Sequence, residues 1–204
     1  MGITPSQYAL LQERLSGTKP KRVAAPLFPT ESTRSAQANQ IVLGIDPSVR
    51  GTGYGVIRLT KPRPEVLAFG SIVSPASWER SRCLMKIAQT LRDVLKQHRP
   101  SVCVMEGLFY AQNLQTALIM GEARGASLAT IAEAGLEIYE IAPRKVKQAV
   151  VGYGAAQKIA VAKMVQRMLN LPETPQADAA DALAVALAFA QEFNRFNFGG
   201  RKKI

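Results

Sequence analysis

Residues Ile41 to Leu59 read IVLGIDPSVRGTGYGVIRL, and the fold turns on this stretch. Ile41, Val42, Leu43 and Ile45 lead into a single carboxylate, Asp46, followed at once by Pro47 and then by Gly51, Gly53 and Gly55. The pattern predicts a buried strand, a tight turn and a second strand. A carboxylate at the end of a buried strand is costly unless a metal ion, a basic side chain or backbone N–H groups compensate its charge. Asp-Pro also opens turns for local reasons alone. The glycines point further, because they admit a backbone or a ligand where a Cβ would obstruct. Two chemistries fit: a hairpin presenting Asp46 to a metal and a phosphodiester, or a phosphate-cradling loop of the actin-like ATPase kind.

Outward from this stretch, 204 residues with 47% hydrophobic content support one domain of about 150 residues plus appendages. No apolar run approaches the roughly 18 residues of a membrane span, so a soluble, cytoplasmic protein is expected, with no membrane partner. Cys83 and Cys103 lack metal-ligand or redox spacing and read as reduced core thiols. His98 is the only histidine and closes a predicted helix ahead of Arg99 and Pro100. Mechanisms centred on Ser-His-Asp, Cys-His or His-ligated zinc therefore lose their usual centre, leaving carboxylates, lysines or a bound metal.

The formal net charge is +11, with +3 from residues 1–40, +4 from 41–194 and +4 from 195–204. Ile141 to Pro172 contains no acidic residue but holds Arg144, Lys145, Lys147, Lys158, Lys163 and Arg167. Such a local excess marks a phosphate-tracking face and makes nucleic acid the leading partner class.

Before Ile41 the texture differs. Thr4-Pro5-Ser6-Gln7 resembles a capping box, and Tyr8, Leu11 and Leu15 share one face of a short predicted helix. Gly17 to Asn39 reads as a flexible basic linker. The organisation expected is an N-terminal extension over 1–40, one folded domain over 41–194 and a basic tail over 195–204.

After the hairpin, Glu65 to Ser74 predicts a third strand and Trp78 to Gln97 a helix with apolar positions at Leu84, Ile87, Leu91, Val94 and Leu95. Ser101 to Glu106 (SVCVME) is another buried strand ending in a carboxylate. Strand, helix, strand implies a parallel crossover, which would bring Asp46 and Glu106 to one edge of the sheet. Asn113 to Ala134 predicts a long helix with small residues at Gly121, Gly125 and Ala129, suited to close packing within the chain or across a two-fold axis. Glu137 to Ile141 is a fifth strand, followed by helices from Pro143 to about Val151, from Ala155 to Asn170, and from about Ala177 onward. In the last of these Asp178 and Asp181 lie about 60° apart around the axis. Acids near a helix N-terminus suit its dipole. Two on one face also suit a divalent cation, and oxygen-only ligands favour Mg²⁺ or Mn²⁺.

GIDPSVRGTGYGVI, MEGLFYAQN, VKQAVVGYGAAQK and PQADAADALAVAL, in this order, resemble the RuvC family of Holliday junction resolvases over about residues 41–190. The resemblance implies an RNase H-like α/β fold, a five-stranded mixed sheet flanked by helices. It implies catalytic and metal-binding carboxylates at Asp46, Glu106, Asp178 and Asp181, important lysines at Lys147 and Lys158, and a DNA-contacting aromatic at Phe109. With Arg144, Lys145 and Lys163 these basic and aromatic residues form the expected DNA surface. Two Mg²⁺ per site, replaceable by Mn²⁺, a homodimer on a four-way junction, and a branch-migration motor partner are likewise implied. Ser48 stands where the family commonly has Gly, and Gly107 where it has Gln. Two other classes compete: a junction-binding protein without catalysis, and the actin-like ATPase.

Overall fold

A computed structural model describes residues 39–107, 113–194 and 202–204. The helix and linker expected before residue 39 and the expected DNA contact Phe109 lie outside the described residues. Strands β1 (Ile41–Asp46), β2 (Gly51–Arg58) and β3 (Glu65–Val73) form an antiparallel meander. Helix α1 (Arg80–His98) then crosses over to β4 (Val102–Glu106), which pairs parallel with β1, and α2 (Leu114–Glu133) leads to β5 (Glu137–Ile141), parallel with β4. Helices α3 (Pro143–Val151), α4 (Lys158–Leu169) and α5 (Ala177–Asn194) follow.

The strand order is β3-β2-β1-β4-β5-β6, where β6 is the two-residue strand Lys202–Lys203. The mixed five-stranded sheet expected from the sequence is thus present, with a short sixth strand at its edge. The C-terminal residues are more than a tail: Lys203 stands opposite Tyr139, the Ile204 amide donates to the Ile138 carbonyl at 3.0 Å, and Lys203 pairs with Glu137. A basic tail has no apolar periodicity to announce a strand; here it satisfies backbone groups that the β5 edge would otherwise present to water.

Period-two alternation sorts the side chains of the sheet into two layers. Leu43, Ile45, Val56, Cys103 and Met105 meet Cys83, Ile87 and Leu91 of α1 and Ala123 and Ile131 of α2. On the other face, Val42, Ile57, Val102 and Val104 share a core with Leu183 to Ala190 of α5, which α3 and α4 cover through Val146, Val150, Val161 and Val165. Every residue of α5 from Ala182 to Ala190 is buried. A helix apolar on all sides is what a position between a sheet and two further helices requires.

The glycines of the opening hairpin prove to be seats for α5, correcting the phosphate-cradle reading. A Cβ on Gly44 would stand 2.2 Å from the Ala182 carbonyl oxygen, one on Gly53 1.9 Å from that of Asp178, and one on Gly55 2.7 Å from the Leu183 side chain. Backbone meets backbone across this layer, leaving no gap for a phosphate at these positions.

Gly44→Ala and Gly53→Ala should therefore each cost about 1–3 kcal/mol or more, as overpacking does, with Tm falling about 2–4 °C per kcal/mol in a chain of this size. Thermal unfolding of the two variants checks this, and a Tm indistinguishable from wild type would show that α5 can move away freely.

Candidate nuclease site

Asp46 and Glu106 end two adjacent parallel strands, one residue past the Ile45–Met105 pair. Alternation puts both side chains on the α5 face, and they share a side-chain hydrogen bond. The turn after Asp46 is closed by Thr52, whose hydroxyl donates to the Ser48 carbonyl at 2.5 Å and accepts from the Ser48 amide at 3.1 Å. Only backbone atoms of residue 48 are used, and its side chain is exposed, so Ser fits there as well as Gly. Gly107, the other departure, continues the ladder through its amide to the Ile141 carbonyl at 2.9 Å.

Asp178 and Asp181 come from the first turns of α5. The Asp178 carboxylate lies against Gly51, where a Cβ would stand 2.5 Å from Oδ2. Asp181 accepts a hydrogen bond from Lys158 Nζ at 2.6 Å, with 15% of its own side chain exposed against 73% for the lysine. That bond is the chief cause that raises the Lys158 pKa.

The carboxyls are strained electrostatically. Burial, then the charge of Asp181, pushes Asp46 up to about 6, while Lys158 and the bond to Glu106 pull it down. Burial, then the charges of Asp46 and Asp181, pushes Glu106 up to about 8. Burial and mutual repulsion thus raise the proton affinity of both carboxyls. Among the described residues no three carboxylate, imidazole or thiol groups close on one point; Asp181 is turned to Lys158. The donor set nonetheless fits a hard divalent cation: all the ligand atoms are oxygens, and the pocket is short of positive charge at neutral pH.

Of the other expected site residues, Lys158 joins the carboxylates. Lys147 is half-buried on α3 beside Val146 and makes no ion pair with them. Arg144, Lys145 and Lys163 are exposed on α3 and α4, with the Arg144 side chain packed over Gly154. Sequence reasoning missed Arg124. Its Nη1 donates to the Glu106 carbonyl at 2.7 Å, and Nη2 pairs with the Glu140 carboxylate. A single Arg in a helix of small residues was the available signal.

A sheet of this order, with carboxylates ending β1 and β4 beside two more on α5, defines an RNase H-like protein of the nuclease kind. The family model described as crossover junction endodeoxyribonuclease RuvC matches residues 42–189. A relative from Akkermansia muciniphila bearing that name is 45% identical over 146 residues, 72% of this chain and 87% of its own. One from Syntrophomonas wolfei is 42% identical over 158 residues, 77% and 92% of the two chains. Among solved structures, T. thermophilus RuvC in complex with Holliday junction substrate aligns with a TM-score of 0.74 and 32% identity, over 81% of this chain and 99% of that one. The yeast mitochondrial Holliday junction resolvase Ydc2, at 14% identity and a TM-score of 0.56 over 97% and 90%, shares the fold. The chain belongs to the RuvC family.

Asp46 and Glu106 bind protons more tightly folded than unfolded, their ordinary values being 3.8 and 4.5. Between those values and the raised ones the folded chain holds more protons, so without divalent cations stability falls as pH rises from about 4 to about 8. Thermal unfolding in a chelator across that range should show the decline. Glu106→Gln should flatten it and melt above wild type near pH 8. A wild-type Tm that climbs from pH 5 to 8 would contradict the charge shortage.

Proposed function

We propose that this chain is a structure-specific endodeoxyribonuclease that resolves four-way DNA junctions by paired phosphodiester hydrolysis. One observation carries it: in a RuvC family member, Asp46 and Glu106 end adjacent parallel strands, and Asp181 is bonded to Lys158, which opens α4 within an acid-free basic stretch. The resolvases named above support the substrate, as does the T. thermophilus relative in complex with a Holliday junction. Residues 41–194 are taken as the nuclease domain, following an extension over 1–40.

Asp46, Glu106, Asp178 and Asp181 would hold two Mg²⁺, with Mn²⁺ as a replacement. Such ions supply Lewis-acid polarisation of the phosphoryl group and a lower pKa for the attacking water. The chain's own residues do the rest. The four carboxylates would hold and orient these ions at the sheet edge. Lys158 offers its ammonium to a phosphate oxygen on leaving Asp181, and Lys147 offers a second. Arg144, Lys145 and Lys163 track duplex phosphates, and Phe109 stacks on an unpaired base at the crossover.

Two nicks in strands of like polarity suit two identical sites related by a two-fold axis. Gly121, Gly125 and Ala129 lie exposed along α2, and a Cβ on either glycine would meet nothing within 4 Å. Leu114 and Leu118, at 77% and 61% exposed, extend the same stripe. That outward face supports an isologous dimer interface rather than a seat against the sheet. A branch-migration motor and a cytoplasmic location follow from the family reading; no helix among the described residues is long and apolar enough to cross a membrane.

A Mg²⁺-dependent cleavage assay on a synthetic four-way junction tests the proposal and separates it from binding without catalysis. Asp46→Asn and Glu106→Gln should abolish cutting while junction binding stays nearly intact; near wild-type cutting by either would misplace the site. Lys147→Ala and Lys158→Ala should slow turnover and flatten the salt dependence by about 0.9 per lost phosphate contact. Unchanged rates and slopes would remove both lysines from the machinery. Gly125→Leu should sediment as a folded monomer that no longer coordinates its two nicks, and a dimer of wild-type affinity would place the interface elsewhere.

A further inference from the structure

We infer that Arg124 is a positioning residue for the nuclease site, a guanidinium brace from α2 that fixes the strand end carrying Glu106; this rests on the role proposed for Glu106.

Glu106 is the last residue of β4, and its carboxylate faces α5. Glu140 lies on β5 opposite Met105, and alternation sends its side chain to the opposite face, toward α2. Arg124 fills the space between these two groups with only 11% of its side chain exposed, and Glu140 is 17% exposed. One arm of its fork donates to the Glu106 carbonyl at 2.7 Å and the other to the Glu140 carboxylate. The side chain therefore approaches from the face opposite the reacting groups and grips main chain, not the carboxylate.

A brace of this kind has a definite task at a strand end. The Glu106 carbonyl is the last before the chain leaves the ladder, where peptide planes rotate more freely than mid-strand. Rotation of that peptide would swing the carboxylate relative to Asp46. The neighbouring bond from Gly107 to Ile141 fixes the amide side, and Arg124 fixes the carbonyl side. Only a planar fork reaches both acceptors at once, so Lys cannot replace it fully. Glu140 holds the fork in place and neutralises a cation that would otherwise be buried alone.

The test compares Arg124→Gln and Arg124→Lys with wild type and with Arg92→Gln. Arg92 pairs with Glu133 between α1 and α2 at 3.1 Å, with both side chains more than half exposed, and so reports on loss of a helix tie away from the site. Cleavage of a four-way junction is measured at saturating DNA, together with the Mg²⁺ concentration for half-maximal rate, junction Kd without divalent ions, and Tm. Residues that orient ligand-bearing groups typically contribute about 10–100-fold to activity or metal affinity. Arg124→Gln should lose rate by about that factor and need more Mg²⁺, with junction Kd within about twofold of wild type. Arg124→Lys should recover part of the loss, and Arg92→Gln should cut normally.

Wild-type rate and Mg²⁺ dependence in folded Arg124→Gln would overturn the inference. So would a loss confined to junction Kd, or an equal loss in Arg92→Gln. If Arg124→Gln does not fold, Arg124→Lys decides, and a wild-type rate there overturns the inference equally. Failure of the parent proposal looks different, because wild-type protein would then cut no junction at all.

Discussion

Helix α5 touches the sheet backbone to backbone, and the site depends on that contact. Side chains on both surfaces normally hold a helix about 10 Å from a sheet. Here Gly44, Gly53 and Gly55 remove the sheet's side chains along one track, and the alanines of α5 remove most of the helix's. Asp178 and Asp181 are thereby lowered onto the edge where β1 and β4 end. With ordinary side chains between the layers, the acids of the helix would stand several ångströms above Asp46 and Glu106, beyond the range of strong coupling. Close approach and electrostatic frustration are two aspects of one packing choice.

The frustration is informative about function. A structural carboxylate usually ends with a lowered pKa, because the fold supplies donors or cations to it. Asp46 and Glu106 go the other way, to about 6 and about 8, with burial the largest cause for both. Lys158 is the cation that offsets part of this, and it sits at the first position of α4 with most of its side chain in solvent. An exposed partner is a weak counter-charge for a buried cluster. The arrangement is matched to positive charge arriving from outside the chain.

Much of this was legible in the sequence, for identifiable reasons. Carboxylates at strand ends announce themselves, since apolar runs such as IVLGID and VCVME have no other cause to end in an acid. The strand-helix-strand crossover then placed Asp46 and Glu106 together with no further information. Helix limits at Asn113, Pro143 and Ala177 were readable because capping and proline chemistry are local: the Asn113 side chain accepts from the Thr116 amide at 2.8 Å. What the glycines approach was not readable, because a missing Cβ says only that something comes close. Arg124 was hidden for a related reason, since its partners are a backbone carbonyl, which every residue has, and a Glu sixteen positions away on another element. The last strand escaped because two lysines carry no strand signature and pair through backbone alone.

The two faces of the sheet carry different duties. On the α5 face the chain concentrates negative charge and close contacts, at a cost to its own stability when the carboxyls ionise. On the α1–α2 face Cys83, Ile87, Leu91, Ala123 and Ile131 are buried in an ordinary apolar layer. Arg124 is a cation on that side, reaching the strand end from behind. Strands that end in repelling acids need their main chain held by something other than those acids. The opposite face is the direction from which a brace can arrive without occupying the space that a phosphodiester must enter.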